Sequence, residues 1–361
     1  MLIVDAHLDL AYTALEFGRD LRRPLSELRE AERKNPTSNG IPTVSVPELQ
    51  RGGVNLVFGT LFLEPVSTKA ALAATKMNYL TAVEAHQKAH QQLDYYHRLA
   101  DELENVVLVG DTAVLNDLLA SQQNSDENAT PQLGIVPLME GADPIRDPAE
   151  LEEWWARGLR IIGPAWDDTR YASGAWRGTR EGFTSDGFLL MEVMADLGFI
   201  LDLTHLSEQA TQEALERYDG TVIATHSNCR ALVDHVGQRN LSDTHIRLLG
   251  ERGGVMGIVL YNRFLKQGHL KGERRDLVTL DHVVAHIDHV CQLLGSSEHV
   301  GIGSDFDGGF GWADIPAELN SVADLHLIGD KLKERGYTAV DTNNILGGNW
   351  VRRLQTSWGD T

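Results

Sequence analysis

The sequence predicts an α/β protein folded as a (β/α)₈ TIM barrel in one domain, residues 1–361, and three observations lead to this fold. Eight short apolar, β-branched runs recur along the chain, at residues 2–4, 54–63, 133–139, 158–163, 198–204, 221–225, 253–261 and 299–304. Most are followed by a segment of helical periodicity, the pattern of strand–helix–strand units in a parallel sheet. The runs are continuously apolar, as strands buried on both faces require. An open, doubly wound sheet is the alternative with the same pattern.

The segments between the runs carry helix signals. Residues 207–218 begin with Ser207, a favourable N-cap, and place Glu208 in the first turn, where the helix dipole favours a carboxylate. An Ala-rich stretch after the second run predicts a helical insertion at about 67–120, and the polar residues 121–130 predict a loop. The insertion would lengthen one connection without changing the barrel.

Composition limits the partners and the location. The chain has 32 Lys and Arg against 52 Asp and Glu, a formal charge of −20, which argues against a nucleic-acid or anionic membrane partner. No apolar run reaches the roughly 18 residues that span a bilayer. Cys229 and Cys291 imply no disulfide framework, and no secretory signal pattern precedes the first run. We therefore expect a cytoplasmic protein that acts on a small molecule.

Potential metal ligands and proton carriers follow five of the eight runs. The carboxyl ends of barrel strands gather at one face, where active sites lie. A single histidine at a strand end is more often a hydrogen-bonded core residue, but five coincident strand ends favour a shared site. The residues are His7, Asp9, Glu140, His205, His226 and Asp305.

These residue types suit a centre with two divalent metal ions. His7 and Asp9 lie two apart on an extended segment, so both side chains can reach one ion. His205 and His226 can hold a second ion, and Glu140 can bridge the pair. Two ions at ~3.5–4 Å lower the pKa of a bridging water towards 7 and make a hydroxide nucleophile. Asp305 can then pass a proton to a leaving amine.

Other histidines are interpreted as structural or exposed. His282, His286 and His289 share one helix with apolar residues, as in an outer helix of a barrel. His86, His90 and His97 lie in the predicted insertion, and we expect them at its surface.

Several segments resemble the membrane (renal-type) dipeptidase family, peptidase family M19, of the amidohydrolase superfamily. They are "DAHLDL", "LMEGAD", "LDLTHLS", "ATHSNCRAL", "GIGSDFDG" and "LGGNWVRRL", and the resemblance extends from residue 4 to about residue 354. It implies a barrel with two zinc ions bridged by Glu140 and a water or hydroxide, with Asp305 as the proton shuttle. It also implies a dipeptide substrate, including dipeptides with C-terminal D-residues, and a homodimer.

The resemblance further implies how the substrate is held. An arginine in an "RN" step grips the substrate carboxylate in the family, and Arg239 in "GQRNLSD" matches it, with Arg230 as a weaker candidate. Tyr261 and Asn262 in "YNRF" would add walls to the pocket. Many two-metal barrels bridge their ions with a carboxylated lysine, but the interval between Lys88 and Lys266 contains no lysine. The bridge is therefore assigned to Glu140.

One position departs from the family pattern. Family dipeptidases usually have a histidine after the fourth strand that contacts the substrate carbonyl, whereas this chain has Trp166 there. An indole N–H is a single neutral donor, and losing such a contact costs on the order of 10²–10³ in rate. Either Trp166, Arg170 or Asp168 takes over, or the bond differs, for example in an N-acyl amino acid, lactam or ester. A third possibility is a catalytically silent barrel kept for binding.

Overall fold

In the described part of the chain, nine parallel strands form one sheet that curls into a nearly closed barrel. The computed structural model describes residues 2–66, 68, 71–72, 74–123, 131–176 and 181–359. The strands are β1 (Ile3–Leu8), β2 (Val54–Phe62), β3 (Val106–Leu108), β4 (Leu133–Glu140), β5 (Ile161–Gly163), β6 (Ile200–Asp202), β7 (Val222–Ser227), β8 (Met256–Ile258) and β9 (Val300–Ile302). Their order is β1-β2-β4-β5-β6-β7-β8-β9. The predicted (β/α)₈ barrel is confirmed, and each predicted apolar run overlaps one strand of this order.

The barrel closes between β1 and β9 through one buried acid. Asp5 in β1 accepts hydrogen bonds from the backbone N–H of Ser304 at 2.8 Å and from its hydroxyl at 2.5 Å. The next residue, Asp305, donates its backbone N–H to the carbonyl of His7 at 3.1 Å. Asp5 therefore joins the first strand to the last beside two of the predicted site residues.

Helices cover the outside of the barrel and connect its strands. They are α1 (Leu10–Phe17), α2 (Leu25–Lys34), α3 (Val46–Arg51), α4 (Ala82–Glu102), α5 (Thr112–Gln123), α6 (Leu151–Ala156), α7 (Ser185–Leu197), α8 (Glu208–Arg217), α9 (Asp243–Glu251), α10 (Asn262–Leu265), α11 (Leu280–Leu294), α12 (His326–Glu334), α13 (Ala339–Asn343) and α14 (Asn349–Trp358). The predicted cap at Ser207 is confirmed, since its hydroxyl accepts from the N–H of Ala210 at 3.2 Å. Within the described residues, no helix is both long and apolar enough to cross a membrane.

The segment between β2 and β4 is helical, as predicted, but it also contains β3. Because β3 has only three residues, its apolar run is too short to stand out in the sequence, and it pairs with β4 outside the barrel order. The prediction of a loop at 121–130 was wrong for residues 121–123, which belong to α5. Residues 124–130 of that prediction lie outside the described residues.

Helix α4 supports the end of β2. It begins at a capping box in which Thr81 and Glu84 each accept a backbone N–H of the other. Further along, Gln92 accepts the N–H of Phe62 at 2.9 Å and donates to its carbonyl at 2.5 Å. The hydroxyl of Tyr96 is buried against the same strand. The inserted helix thus fixes the backbone where β2 reaches the carboxyl face.

Histidines outside the strand ends fill structural positions. His90 stacks on Trp154 with ring centroids 4.1 Å apart, and His86 packs beside it, so both are half-buried and the prediction that they lie at the surface was wrong. In α11, His286 is fully buried and its Nδ1 accepts the N–H of Cys229 at 3.1 Å. An Nδ1 that accepts carries no proton, so this imidazole is neutral.

Candidate metal centre and substrate cavity

The predicted ligands meet at the carboxyl face of the barrel. Glu140, the last residue of β4, lies between the others: its Oε2 is 3.5 Å from His7 Nε2, and its Oε1 is 3.0 Å from His205 Nε2 and 3.4 Å from His226 Nε2. His7 Nε2 is also 3.9 Å from Asp9 Oδ1. One carboxylate thus faces imidazoles from three strand ends, with one oxygen turned to each side of the cluster.

Asp305 belongs to the same cluster. Its Oδ1 lies 3.9 Å from His7 Nε2, across the seam between β9 and β1. The backbone at Asp305 has φ 59° and that at His205 has φ 69°, in the left-handed region that residues with a Cβ rarely adopt. Such strain concentrates at functional sites, because only the surrounding structure maintains it. Both side chains lie at the carboxyl face of the barrel on residues whose backbone conformation is energetically unfavourable.

A buried acid and a hydroxyl orient two of the histidines. Asp202, at the end of β6, accepts the hydroxyl of Thr225 at 2.6 Å and its backbone N–H at 2.9 Å. The same hydroxyl oxygen lies 3.0 Å from His226 Nδ1 and 3.4 Å from His7 Nδ1. Because its proton points to Asp202, this oxygen is left to accept from both rings. Both imidazoles then carry a proton on Nδ1 and turn Nε2 towards Glu140.

The electrostatics of the cluster are those of a site that takes cations. Burial raises the pKa of Asp9 to about 7, with Glu140 adding to the effect, and burial likewise raises the pKa of Asp305. Burial opposes protonation of His7, but Glu140, Asp305 and Asp9 outweigh it and raise its pKa to about 9. Burial lowers the pKa of His205 to about 4. Against the effect of burial, His7 and His205 hold the pKa of Glu140 well below its usual range, whereas Asp9 and Asp305 lack sufficient positive charge from the protein itself.

The donor set fits divalent metal ions. His7, Glu140 and His226 each offer a ligand atom, and these atoms all lie within 4.8 Å of one another. Among the described residues, the buried Nε2 of His7 has no hydrogen-bond partner. The Nε2 atoms of His205 and His226 face each other at 3.0 Å, as lone pairs do when both point at one coordination position. Imidazole and carboxylate donors of this kind suit zinc and related metals.

A cavity of about 480 Å³ opens above the cluster. Three of the residues predicted to bind substrate line it: Trp166, Arg239 and Tyr261. Arg239 is fully buried, and its guanidinium lies over the ring of Phe264 at 5.1 Å. Its Nε and Nη1 have no hydrogen-bond partner in the part of the chain that the structure describes. Trp166 packs edge-on to Phe62 at 5.2 Å and lies 6.0 Å from the ring of His205. The volume is in the range of small-molecule sites, roughly 300–1,000 Å³.

Four other candidates lie away from the cavity. The prediction for Asn262 requires correction, because α10 begins there and turns its buried amide to the carbonyl of Ile315, at 3.0 Å. Arg230 pairs with a surface carboxylate at 3.0 Å, which leaves Arg239 as the arginine of the cavity. Arg170 pairs with an exposed acid at 2.8 Å, and Asp168 accepts the hydroxyl of a loop serine at 3.0 Å. Of the proposed substitutes for a strand-end histidine, Trp166 alone is at the site.

The sequence interpretation missed several residues of the cavity. Tyr12 and Phe17 lie in α1 and Phe62 ends β2, whereas the others come from loops whose path depends on tertiary packing. The missed lining residues include Tyr12, Phe17, Asn39, Phe62, Trp176, Lys271 and Phe310. Arg263 and Phe264 also line the cavity and belong to the segment "YNRF", which was predicted to add walls to the pocket.

Comparison with known proteins assigns the family. The family model described as membrane dipeptidase (peptidase family M19) matches residues 1–357. The chain belongs to this family. It is a metal-dependent hydrolase of the metallodipeptidase type, which agrees with the resemblance drawn from the strand-end motifs.

Relatives of this M19 chain include proteins known from sequence and from solved structures. It is 33% identical over 234 residues to an uncharacterized protein of the pqqA 5′ region of Klebsiella pneumoniae, covering 63% of this chain and 83% of that one. It is 28% identical over 315 residues to an uncharacterized dipeptidase of Schizosaccharomyces pombe, covering 86% and 72%. A metallopeptidase from Rhodobacter sphaeroides, solved with a phosphinate mimic of L-Ala-D-Ala, superposes with a TM-score of 0.77 at 22% identity, covering 99% of each chain. This last likeness shows a shared fold.

Proposed function

We propose that this M19 protein is a dipeptidase with two divalent metal ions, most simply zinc, that cleaves the peptide bond of dipeptides. The observation that carries the proposal is the position of Glu140 among three imidazoles, with separate oxygens 3.5 Å from His7 and 3.0 Å from His205. His7 and Asp9 would hold one ion, and His205 and His226 the other, with Glu140 shared. The bound pair would polarise the scissile carbonyl and supply a water nucleophile at neutral pH.

Asp305 moves the proton in this proposal. Its Oδ1 faces the cluster 3.9 Å from His7 Nε2, and the residue also lines the cavity. From there the carboxylate takes the proton of the attacking water and delivers it to the departing amine nitrogen. The left-handed backbone at Asp305 keeps the carboxylate aimed inwards between these two events.

Arg239 orients the substrate by its carboxylate. A buried guanidinium with unpartnered Nε and Nη1 presents two adjacent donors to the cavity. Two parallel N–H groups match the two oxygens of one carboxylate, which fixes both position and direction. The chirality of the residue that carries this carboxylate then decides where its side chain lies, so D- and L-residues both belong in the substrate panel.

A second function is favoured by Trp166. Its ring stands 6.0 Å from His205 and walls the cavity where the family pattern has a histidine. If the missing imidazole is required for dipeptide cleavage, the same centre acts on another small amide, such as an N-acyl amino acid or a lactam. The two functions share the metal centre and Arg239 and differ in the group next to Trp166.

Metal analysis and a substrate panel test the proposal. The protein loaded with Zn²⁺ and freed of excess ion should retain two equivalents and cleave dipeptides with L- or D-residues at the second position. N-acyl amino acids and lactams in the same panel decide between the two functions. Less than one equivalent of tightly bound metal, or no cleavage of any amide by the loaded protein, contradicts the proposal. Glu140→Gln supplies the control, since it should lower the metal content.

A further inference from the structure

We propose that the cavity contains a second anion site, formed by Arg263 and Lys271, beside the one formed by Arg239. Since it rests on the proposed function, it names the substrate class: dipeptides or N-acyl amino acids whose C-terminal residue has an acidic side chain. Arg239 holds the main-chain carboxylate, and Arg263 and Lys271 hold the carboxylate of that side chain.

The first observation is three cations without ion pairs. Arg239, Arg263 and Lys271 all line the cavity, and among the described residues none of the three forms an ion pair. The carboxylates of the metal cluster line the same cavity, and the proposed ions would balance their charge, which leaves these cations to bind an anion. Within the part of the chain that the structure describes, the buried Nε of Arg263 has no hydrogen-bond partner, and desolvated donors of this kind are costly unless a ligand satisfies them.

The second observation is that the two arginines share one wall. Arg239 lies over the ring of Phe264 at 5.1 Å, and Arg263 lies over the ring of Trp176 at 5.3 Å. These two rings contact each other edge to face at 5.8 Å. The guanidinium groups therefore lie on adjoining rings of one wall of the cavity.

The partners of the second pair are neutral. Arg263 lies beside the Tyr261 side chain, and Lys271 donates to the carbonyl of Gly309 at 2.8 Å. These contacts position the cations but leave their charge unbalanced. A purely structural role for Arg263 and Lys271 would require only these contacts, whereas a role in binding an anion also requires their positive charge.

Another part of the cavity wall is aromatic. Tyr12, Phe62 and Trp166 form a row of rings with centroids 5.1 Å and 5.2 Å apart. That wall suits the acyl or amino-terminal residue of the substrate, since it offers apolar surface. The cavity therefore distinguishes the two halves of its substrate, with cations on the C-terminal side.

Isosteric substrates test the second anion site. Alanyl-glutamate and alanyl-glutamine differ in side-chain charge and hardly in shape, and both are assayed with L- and D-residues at the second position. We expect kcat/KM to favour the glutamate compound by about tenfold or more, the value of one charge-assisted hydrogen bond. Arg263→Met should bring the ratio close to one and act mainly through KM, while Arg263→Lys should restore part of it. Arg274→Met, which removes an exposed cation outside the cavity, should leave the ratio unchanged.

Binding measurements separate this proposal from the proposed function. Isothermal titration of the metal-loaded protein with free glutamate and free glutamine does not depend on turnover. Tighter binding of glutamate, lost in Arg263→Met, supports the anion site even if no dipeptide is cleaved. Equal binding of the two amino acids, or equal kcat/KM for the two dipeptides, overturns it even if the protein is an active dipeptidase.

Discussion

Thr225→Val should weaken metal binding although Thr225 itself is not a proposed ligand. The replacement keeps the β-branched shape and removes the one oxygen that contacts Asp202, His226 and His7 at 2.6, 3.0 and 3.4 Å. Without that acceptor, both imidazoles lose the contact that keeps their proton on Nδ1. A partner of this kind is worth about 10–100-fold in metal affinity, or about 1.4–2.7 kcal/mol.

The same change should also lower stability. Asp202 is fully buried and would lose a hydrogen bond from a hydroxyl to a charged group, worth about 1.5–3 kcal/mol. Its remaining hydrogen bonds, from the backbone N–H of Thr225 and from Thr204, should keep the fold intact. The midpoint of unfolding, measured on the metal-free proteins, should be lower in Thr225→Val than in the wild type. A difference in the absence of metal separates this loss of stability from the loss of metal binding.

Chelator competition measures the affinity, and two variants serve as controls. Thr225→Ser retains the hydroxyl and should bind metal nearly as the wild type does. Thr342→Val removes a buried hydroxyl that has no hydrogen-bond partner among the described residues, and it should leave metal affinity unchanged. Wild-type affinity and stoichiometry in Thr225→Val would refute the argument that this hydroxyl orients the histidines.

Three further predictions concern the proton carrier, the altered strand end and a buried histidine. Asp305→Asn should lower kcat by at least about 10², the usual value of general acid–base catalysis, at unchanged metal content; equal kcat would remove Asp305 from the mechanism. Trp166→His should raise kcat for dipeptides if the missing imidazole limits cleavage, and an unchanged kcat argues that Trp166 is only a wall. Burial lowers the pKa of His286 to about 4, so the unfolded chain binds a proton that the folded one does not. Stability should therefore be complete above about pH 6.5 and fall by about 3 kcal/mol as the pH drops to 4. The urea midpoint of unfolding, measured across this pH range, should depend less on pH in His286→Asn than in the wild type. In His326→Asn its dependence on pH should be unchanged.

Much of the fold was predictable because the barrel strands are continuous apolar runs. The same property explains why the site was accessible to sequence analysis: the residue just past each run marks the carboxyl face. His205 and His226 were identified in this way, and the structure brings them within 3.0 Å of each other. β3 escaped prediction because three residues are too few for a pattern to emerge.

The cavity walls were harder to predict, because sequence adjacency does not give side-chain direction. Tyr261 and Asn262 are neighbours, yet only Tyr261 lines the cavity, since α10 begins at Asn262. Arg263 returns to the cavity one position later, as helical geometry allows. Loop residues such as Asn39 reach the site through contacts far apart in the chain, including its hydrogen bond to the Asp307 carbonyl at 2.6 Å.

The contact between β1 and β9 at Asp5 means that closure of the barrel and assembly of the metal-ligand cluster occur in the same folding step. Asp5 and Ser304 are 299 residues apart in the chain, and the contact between His7 and Asp305 spans the same gap. Contacts of such long range form late, because the chain must first lose the entropy of closing a very large loop. During refolding, secondary structure can therefore recover while His7 and Asp305 are still apart. High-affinity metal binding should then appear only when β1 pairs with β9. Metal binding during refolding therefore reports on the closure of the barrel.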